Sequence, residues 1–125
     1  MRTTTLLSAA ILALTLVLTR PGGAAAGAQS LAPAAPSDLT AVGVSTSAIT
    51  ISWTDNSSDE LGFEIEHCQG AGCTDFVHLA TMSANATNAT ISSLGKNKTY
   101  TYRVRASNAA GDSAYSNVAW ATTLR

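Results

Sequence analysis

The strongest constraint on the fold is a run of alternating residues between positions 100 and 107. Its apolar residues occupy every second position: Tyr100, Tyr102, Val104 and Ala106. The polar residues between them are Thr101, Arg103, Arg105 and Ser107. A period of two places one row against a core and the other in solvent, so the run predicts a β-strand. Small residues follow at 108–113, where Gly111 is able to adopt a positive φ, and they predict a turn.

Other short segments of the chain alternate in the same way. Ile49, Ile51 and Trp53 form one apolar row, with Trp53 as the expected core anchor. A second strand has an inward row of Phe63, Ile65 and His67 and an outward row of Glu64, Glu66 and Cys68. Residues 76–81 predict a further strand whose inward face stays open, because Phe76 favours one register and Val77 and Leu79 the other. Short strands about ten residues apart, without a helical pattern, predict an all-β antiparallel sandwich.

The first 35 residues differ from the rest in composition. Met1-Arg2 is followed by an apolar run of 13 residues from Leu6 to Leu18, and small residues suited to cleavage lie near Ala28. This pattern predicts a secretory signal peptide over 1–28 and hence a secreted protein without membrane insertion after cleavage. The segment 29–35, rich in Ala and Pro, predicts a flexible tether. The predicted folded domain is therefore 36–124.

The net charge of the chain excludes some classes of partner. Without Arg2 and Arg20, five basic and eight acidic side chains remain, a formal charge of −3. A protein that binds nucleic acid or anionic membranes normally carries a basic patch. We therefore expect neither partner.

The motifs of residues 36–123 resemble a fibronectin type III domain. Trp53 lies at the end of the second strand, and Leu94 and Tyr100 have the six-residue spacing of that family's tyrosine corner. The segment SWTDNSSDELGFEIEHC resembles versions in secreted bacterial proteins. The resemblance implies a seven-stranded immunoglobulin-like sandwich with strands one, two and five in one sheet and the others in the second. It also implies a structural Tyr100 whose hydroxyl bonds a backbone group upstream. The expected structural residues are Trp53, Leu94, Tyr100, Tyr102 and Val104.

Two cysteines flank a four-residue turn. In an exported chain, Cys68 and Cys73 are expected to form a hairpin disulfide. A zinc site that adds His67 and His78 is the alternative, but adjacent strand residues point to opposite faces and four ligands must converge on one ion. A calcium loop at 55–60 lacks the expected ligand spacing. We therefore expect no metal and no cofactor.

One outward row is a possible binding surface. If Ala119 and Ala121 face the core, Trp120 faces outward beside Arg103 and Arg105. One interpretation is a structural lattice of Arg–Glu pairs, with Trp120 covered by an arginine through a cation–π contact. The other is an exposed aromatic platform for a sugar ring or a protein.

No residue pattern indicates catalysis. The sequence lacks a nucleophile elbow and paired carboxylates, and a small packed sandwich leaves little room for a pocket. We therefore expect a monomeric, secreted, non-catalytic module that binds an unidentified extracellular protein or polysaccharide. The alternative is a structural spacer or accessory domain of a secreted hydrolase, without binding activity of its own.

Overall fold

A computed structural model describes residues 31–125, and residues 32–125 form one compact unit. The predicted signal peptide lies outside the described residues. The described part contains β-strands, and none of its segments is a helix long and apolar enough to cross a membrane. In chain order, its strands are β1 Ser37–Gly43, β2 Ile49–Thr54, β3 Gly62–Gln69, β4 Val77–Ser83, β5 Asn88–Ile91, β6 Thr99–Asn108, β7 Gly111–Asp112 and β8 Ala119–Thr122.

The strands form two antiparallel sheets, which confirms the predicted fold class. One sheet has the order β1-β2-β5. The other has the order β4-β3-β6, and both β7 and β8 pair with the far edge of β6. β7 pairs with Ser107 and Asn108, whereas β8 pairs with residues 99–102 at the opposite end. Since β7 and β8 follow one another along the same edge, they together occupy the place of the seventh strand.

The core lies between the two sheets and contains the residues that the alternation places inward. Trp53 and Phe63 come from opposite sheets, and their ring centres are 5.5 Å apart. The buried apolar cluster consists of Leu39, Ile49, Ile51, Trp53, Phe63, Ile65, Ala89, Ile91, Tyr100, Tyr102, Val104 and Ala106. Burial of this apolar surface is the main favourable contribution to folding.

The corner before β6 is held by Tyr100. Its hydroxyl accepts a hydrogen bond of 3.0 Å from the backbone N–H of Gly95, while its ring is buried in the core. Leu94 is partly buried against the same core. The polar end of the tyrosine is thereby satisfied at the edge of an apolar interior.

Strand β4 contains a register shift. This shift explains why the sequence alone does not determine which of its residues face the core. Ile65 pairs with Ala80, but Glu66 pairs with His78, so Leu79 is an extra residue on β4. Leu79 and Met82 both pack against the core although they are three residues apart. A β-bulge of this kind breaks the period of two. No single alternation therefore describes the strand.

Strand β8 is fixed on both sides. It pairs with β6, and Asn117, two residues before the strand, accepts from the Leu39 N–H at 2.8 Å and donates to the Leu39 carbonyl of β1 at 3.0 Å. A Cβ atom at Gly43 would collide with the backbone carbonyl of Thr122, so β1 approaches β8 closely where glycine allows it. The backbone that carries Trp120 is consequently held from two directions.

Candidate binding surface

The outer face of the larger sheet carries the predicted surface residues. Arg103 and Arg105 of β6 lie opposite Glu66 and Glu64 of β3 in the strand register. Trp120 of β8 lies opposite Thr101. All of these side chains point away from the core, because they alternate with residues of the same strands that are buried in the core or packed against it.

Arg103 is enclosed by two aromatic rings and one carboxylate. Its Nε and one terminal nitrogen donate to the same oxygen of Glu66, at 2.9 and 2.7 Å. Its guanidinium carbon lies 4.2 Å from the ring centre of Phe76 and 3.7 Å from that of Tyr115. The Tyr115 hydroxyl donates to the second oxygen of Glu66 at 2.8 Å. Two nitrogen atoms and the guanidinium faces of Arg103 are thus engaged within the protein.

Arg105 is held by two acidic side chains. It donates to Glu64 at 3.0 Å and lies 3.2 Å from an oxygen of Asp112 on β7. Its guanidinium carbon is also 4.9 Å from the ring centre of Tyr115. The pairs remain partly exposed, so each contributes about 1 kcal/mol or less to stability.

These contacts correct one sequence expectation. Among the described residues, the cation–π contacts of the two arginines go to Phe76 and Tyr115, not to Trp120. Phe76 precedes β4 and Tyr115 lies in the connection between β7 and β8, outside the regular strands. Strand alternation does not predict the side-chain direction of residues outside strands. Tertiary packing brings both rings against Arg103.

The electrostatics of this lattice follow from its hydrogen bonds. Burial alone would raise the pKa of Glu66, but the hydrogen bonds from Arg103 and Tyr115 and the charge of Arg103 lower it below the usual range. Burial and the neighbouring Glu66 raise the pKa of Tyr115. Glu66 is therefore held as a carboxylate and Tyr115 as a neutral hydrogen-bond donor.

Trp120 is 54% exposed, and Thr101 opposite it is fully buried. The alternation predicts Thr101 in solvent, and that expectation is wrong. Thr101 lies between Trp120 on β8 and Cys68 on β3 in the strand register, and its hydroxyl donates to the Gly70 carbonyl at 2.7 Å. The residues of the neighbouring strands therefore cover Thr101, although the strand alternation predicts that it faces solvent.

Cys68 and Cys73 form the predicted disulfide. Gly70 and Gly72, within the turn between them, adopt φ values of 108° and 70°, a region that favours glycine. The zinc site with His67 and His78 is excluded in this oxidised form, because both sulfur atoms are bonded to each other. The closed hairpin lies at the end of β3, in the same row as Thr101 and Trp120.

The sequence and the fold agree with one family. Residues 34–122 match the sequence profile described as "Fibronectin type III domain". The chain belongs to the fibronectin type III family. Its sheet topology and its tyrosine corner are those that the resemblance implies.

Known proteins are similar to this fibronectin type III domain in sequence or in fold. Chitinase A1 of Niallia circulans is 41% identical over 113 residues, which cover 89% of this chain but only 14% of that protein. A structure described as an Fn3-like protein from Clostridium thermocellum superposes with a TM-score of 0.63 at 22% identity, covering 76% of this chain and 97% of that one. The structure described as FN3tt gives a TM-score of 0.64 at 20% identity and covers 76% of this chain and 98% of that one. The structural likenesses show the fold alone.

His67 lies on the inner face of this fibronectin type III domain. Its ring centre is 6.1 Å from that of Tyr100 and 6.0 Å from that of Tyr102, and its Nδ1 is buried without a hydrogen-bond partner among the described residues. Burial lowers the pKa of His67. The side chain is therefore a neutral, partly buried group at neutral pH.

The sequence pattern of this fibronectin type III domain does not predict the burial of Glu60. Glu60, in the loop between β2 and β3, is only 6% exposed, and its carboxylate accepts a hydrogen bond of 2.8 Å from the Asn85 N–H. Burial raises the pKa of the neighbouring Asp55, and the proximity of Glu60 raises it further. Glu60 thus joins two loops as a hydrogen-bond acceptor. Its position in a polar loop carries no sequence signal for burial.

Proposed function

We propose that this chain is a secreted, non-catalytic accessory module that holds polysaccharide for a polysaccharide-degrading enzyme through Trp120. Its relationship to a stretch covering 14% of a chitinase supports an accessory role beside a larger enzyme. The Cys68–Cys73 disulfide suits an oxidising compartment, in keeping with the predicted export. The unidentified partner of the sequence prediction is accordingly narrowed to a polysaccharide.

The observation that carries the proposal is the exposure of Trp120. The other two aromatic side chains near this face, Phe76 and Tyr115, cover Arg103. Trp120 remains more than half exposed on a backbone that is fixed from both sides. An indole combines a large flat apolar surface with an N–H donor, so it suits a ligand that is apolar on one face and polar at its rim. A sugar ring has this character.

The charges around Trp120 favour a neutral polymer. Glu64, Glu66 and Asp112 outnumber Arg103 and Arg105 on this face, and both arginines are paired internally. An anionic polysaccharide would meet a surface that is negative overall and offers no unpaired arginine from this lattice. An uncharged polysaccharide such as chitin avoids this penalty.

The test is binding of the exported protein to insoluble chitin at physiological salt. We expect retention of the wild type and at least a tenfold loss of affinity for Trp120→Ala. Val42→Ala is the matched control, since Val42 is similarly exposed but lies on the other sheet. Unchanged affinity of Trp120→Ala, with unchanged circular dichroism, would contradict the proposal for this surface.

The spacer function is the second candidate. It is favoured by the closed lattice of ion pairs, which satisfies most of the outer face internally. In that case the wild type and both variants would all fail to bind chitin, and fusion to an enzyme would alter only the separation of its domains. Retention of the wild type on chitin would be enough to exclude a pure spacer.

A further inference from the structure

We propose that the neutral polysaccharide lies lengthwise along β8 and is bound as an extended chain of several sugar units. The contacting side chains form one row, which we call the β8 row and which consists of Val118, Trp120, Thr122 and Leu124. This inference rests on the proposed function, because it keeps the same ligand class and adds three residues to Trp120. It makes the length of the ligand a determinant of affinity.

The β8 row continues the alternation of β8 beyond both ends of the strand. Its three large apolar side chains are each about half exposed: Val118 48%, Trp120 54% and Leu124 50%. The side chains between them are buried or packed against the core: Ala119, Ala121 and Thr123. In extended backbone, the six steps from Val118 to Leu124 span about 20 Å. The row is therefore longer than one sugar ring and has the linear shape of a polymer.

The backbone beneath the β8 row is fixed at both ends. Before the strand, the side chain of Asn117 is hydrogen-bonded to β1. After the strand, the Leu124 N–H donates to the Ser45 carbonyl at 2.9 Å, and the Leu124 carbonyl accepts from the Asn97 N–H at 3.1 Å. A ligand consequently has little backbone to order when it binds, which reduces the entropic cost of binding.

The β8 row combines apolar surface with a hydroxyl pair. Thr122 is exposed, and its Oγ1 lies 2.6 Å from Oγ1 of Thr99 on β6. The pair has two hydroxyl hydrogens and uses one of them in this contact, so a donor and acceptor lone pairs remain for a ligand. The indole of Trp120 and the side chain of Leu124 lie on either side of this pair along the row. A sugar chain presents the matching combination of apolar ring faces and hydroxyl groups.

The shape and the charge of the β8 row favour a narrow, neutral ligand over a protein. Neighbouring strands are about 4.8 Å apart, so a strip about 20 Å long and one strand wide covers about 100 Å². A stable protein interface buries about 800 Å² on each partner. On the β6 side, Thr101 is fully buried and Arg103 is covered by two rings, so the apolar strip does not widen there. None of the four side chains in the row is charged.

The experiment titrates the exported protein with soluble chitin oligosaccharides of two to six sugar units and follows its amide NMR signals. We expect the affinity to rise with ligand length until the ligand spans the β8 row, and to stay constant beyond that length. The hexasaccharide is expected to shift the amide signals of residues 118–124, and the disaccharide those around Trp120 alone.

Serine substitutions test the two ends of the row. Val118→Ser and Leu124→Ser are each expected to weaken hexasaccharide binding about fivefold, the effect of losing about 40 Å² of buried apolar surface, and to leave disaccharide binding unchanged. Val77→Ser and Leu61→Ser are the matched controls, because these exposed residues lie on β4 and in the loop before β3. Both controls should bind like the wild type. The amide spectra also show whether each variant is folded.

Failure of this inference and failure of the proposed function give different results. If Trp120→Ala alone weakens binding and both row variants match the wild type at every ligand length, the extended row is contradicted and the proposed function stands. If the wild type binds neither insoluble chitin nor any oligosaccharide, both are contradicted. A wild-type dimer in analytical ultracentrifugation that Leu124→Ser abolishes and the hexasaccharide does not dissociate would assign the row to a second copy of this chain. That result would also overturn the inference.

Discussion

The guanidinium carbon of Arg103 lies 3.7 Å from the ring centre of Tyr115, and the hydroxyl of that tyrosine donates to Glu66, the ion-pair partner of Arg103. The three side chains therefore form a closed triangle on the outer face. Arg103 and Tyr115 each donate to the carboxylate of Glu66, and the ring of Tyr115 packs against the guanidinium of Arg103.

This triangle predicts graded losses of stability. Tyr115→Phe keeps the ring but removes the hydrogen bond to Glu66, so we expect a loss of about 1 kcal/mol. Tyr115→Ala also removes the contact with Arg103, so we expect about 2 kcal/mol. Urea unfolding measures both. Lys96→Ala, at an exposed lysine in the turn before β6, serves as the control. Equal stability of the two tyrosine variants would show that the ring contact contributes nothing.

Two neighbouring tyrosines of β6 are predicted to respond in opposite ways to the same substitution. Tyr100→Phe removes the acceptor of the Gly95 N–H, so we expect a loss of about 1–3 kcal/mol. The hydroxyl of Tyr102 is buried and has no hydrogen-bond partner among the described residues. Tyr102→Phe is therefore expected to be neutral or stabilising. Thermal and urea unfolding of the pair decide this, and a larger loss in Tyr102→Phe would be the contrary result.

The stability of the domain is predicted to fall on mild acidification because of His67. Burial lowers the pKa of His67 in the folded state, so the unfolded chain takes up this proton at a higher pH. The stabilisation is complete above the unfolded pKa of about 6.5 and is lost as the pH falls towards the folded pKa. The slope for one proton is at most about 1.4 kcal/mol per pH unit.

Urea unfolding between pH 7.5 and pH 5 measures this effect. His67→Phe is expected to remove the slope in this window. His78→Gln, which changes an exposed histidine, is expected to retain it. If the slope disappears in His78→Gln and persists in His67→Phe, the prediction for His67 is contradicted.

Glu60 is predicted to hold the turn between β4 and β5. Glu60→Ala leaves the Asn85 N–H without its acceptor, so we expect a loss of about 1–3 kcal/mol and faster hydrogen exchange at this amide. Asn85 adopts a positive φ of 68°, a left-handed conformation that asparagine tolerates better than most non-glycine residues. Glu60→Gln retains an acceptor oxygen and should exchange more slowly than the alanine variant. Identical exchange in all three proteins would exclude this role.

Much of the fold was predictable because strand alternation reports directly on burial. The inward rows with Trp53, Phe63 and Val104 are buried as the period of two predicts. The arginine–glutamate pairs also followed from register, since Arg103 and Arg105 face Glu66 and Glu64 across adjacent strands. The disulfide was predictable because a four-residue turn brings Cys68 and Cys73 together locally.

Other features depended on contacts between residues far apart in sequence. The bulge at Leu79 breaks the alternation of β4, so neither register predicted from sequence describes the whole strand. Thr101 has the pattern of a solvent residue but is buried between two neighbouring strands. Phe76 and Tyr115 lie outside regular strands, where no period assigns a direction to a side chain.

The sequence by itself determined the sandwich and the disulfide, because those depend on local periodicity and on a short spacing, and its resemblance to fibronectin type III domains implied the role of Tyr100 at the corner. The tertiary structure decided which surface groups remain available. It occupies Arg103 and Arg105 with internal partners and leaves Trp120 exposed in one row with Val118 and Leu124. The physical reason is that the exposure of a side chain depends on all of its neighbours in the folded structure. Strand alternation indicates only on which face of the sheet the side chain lies.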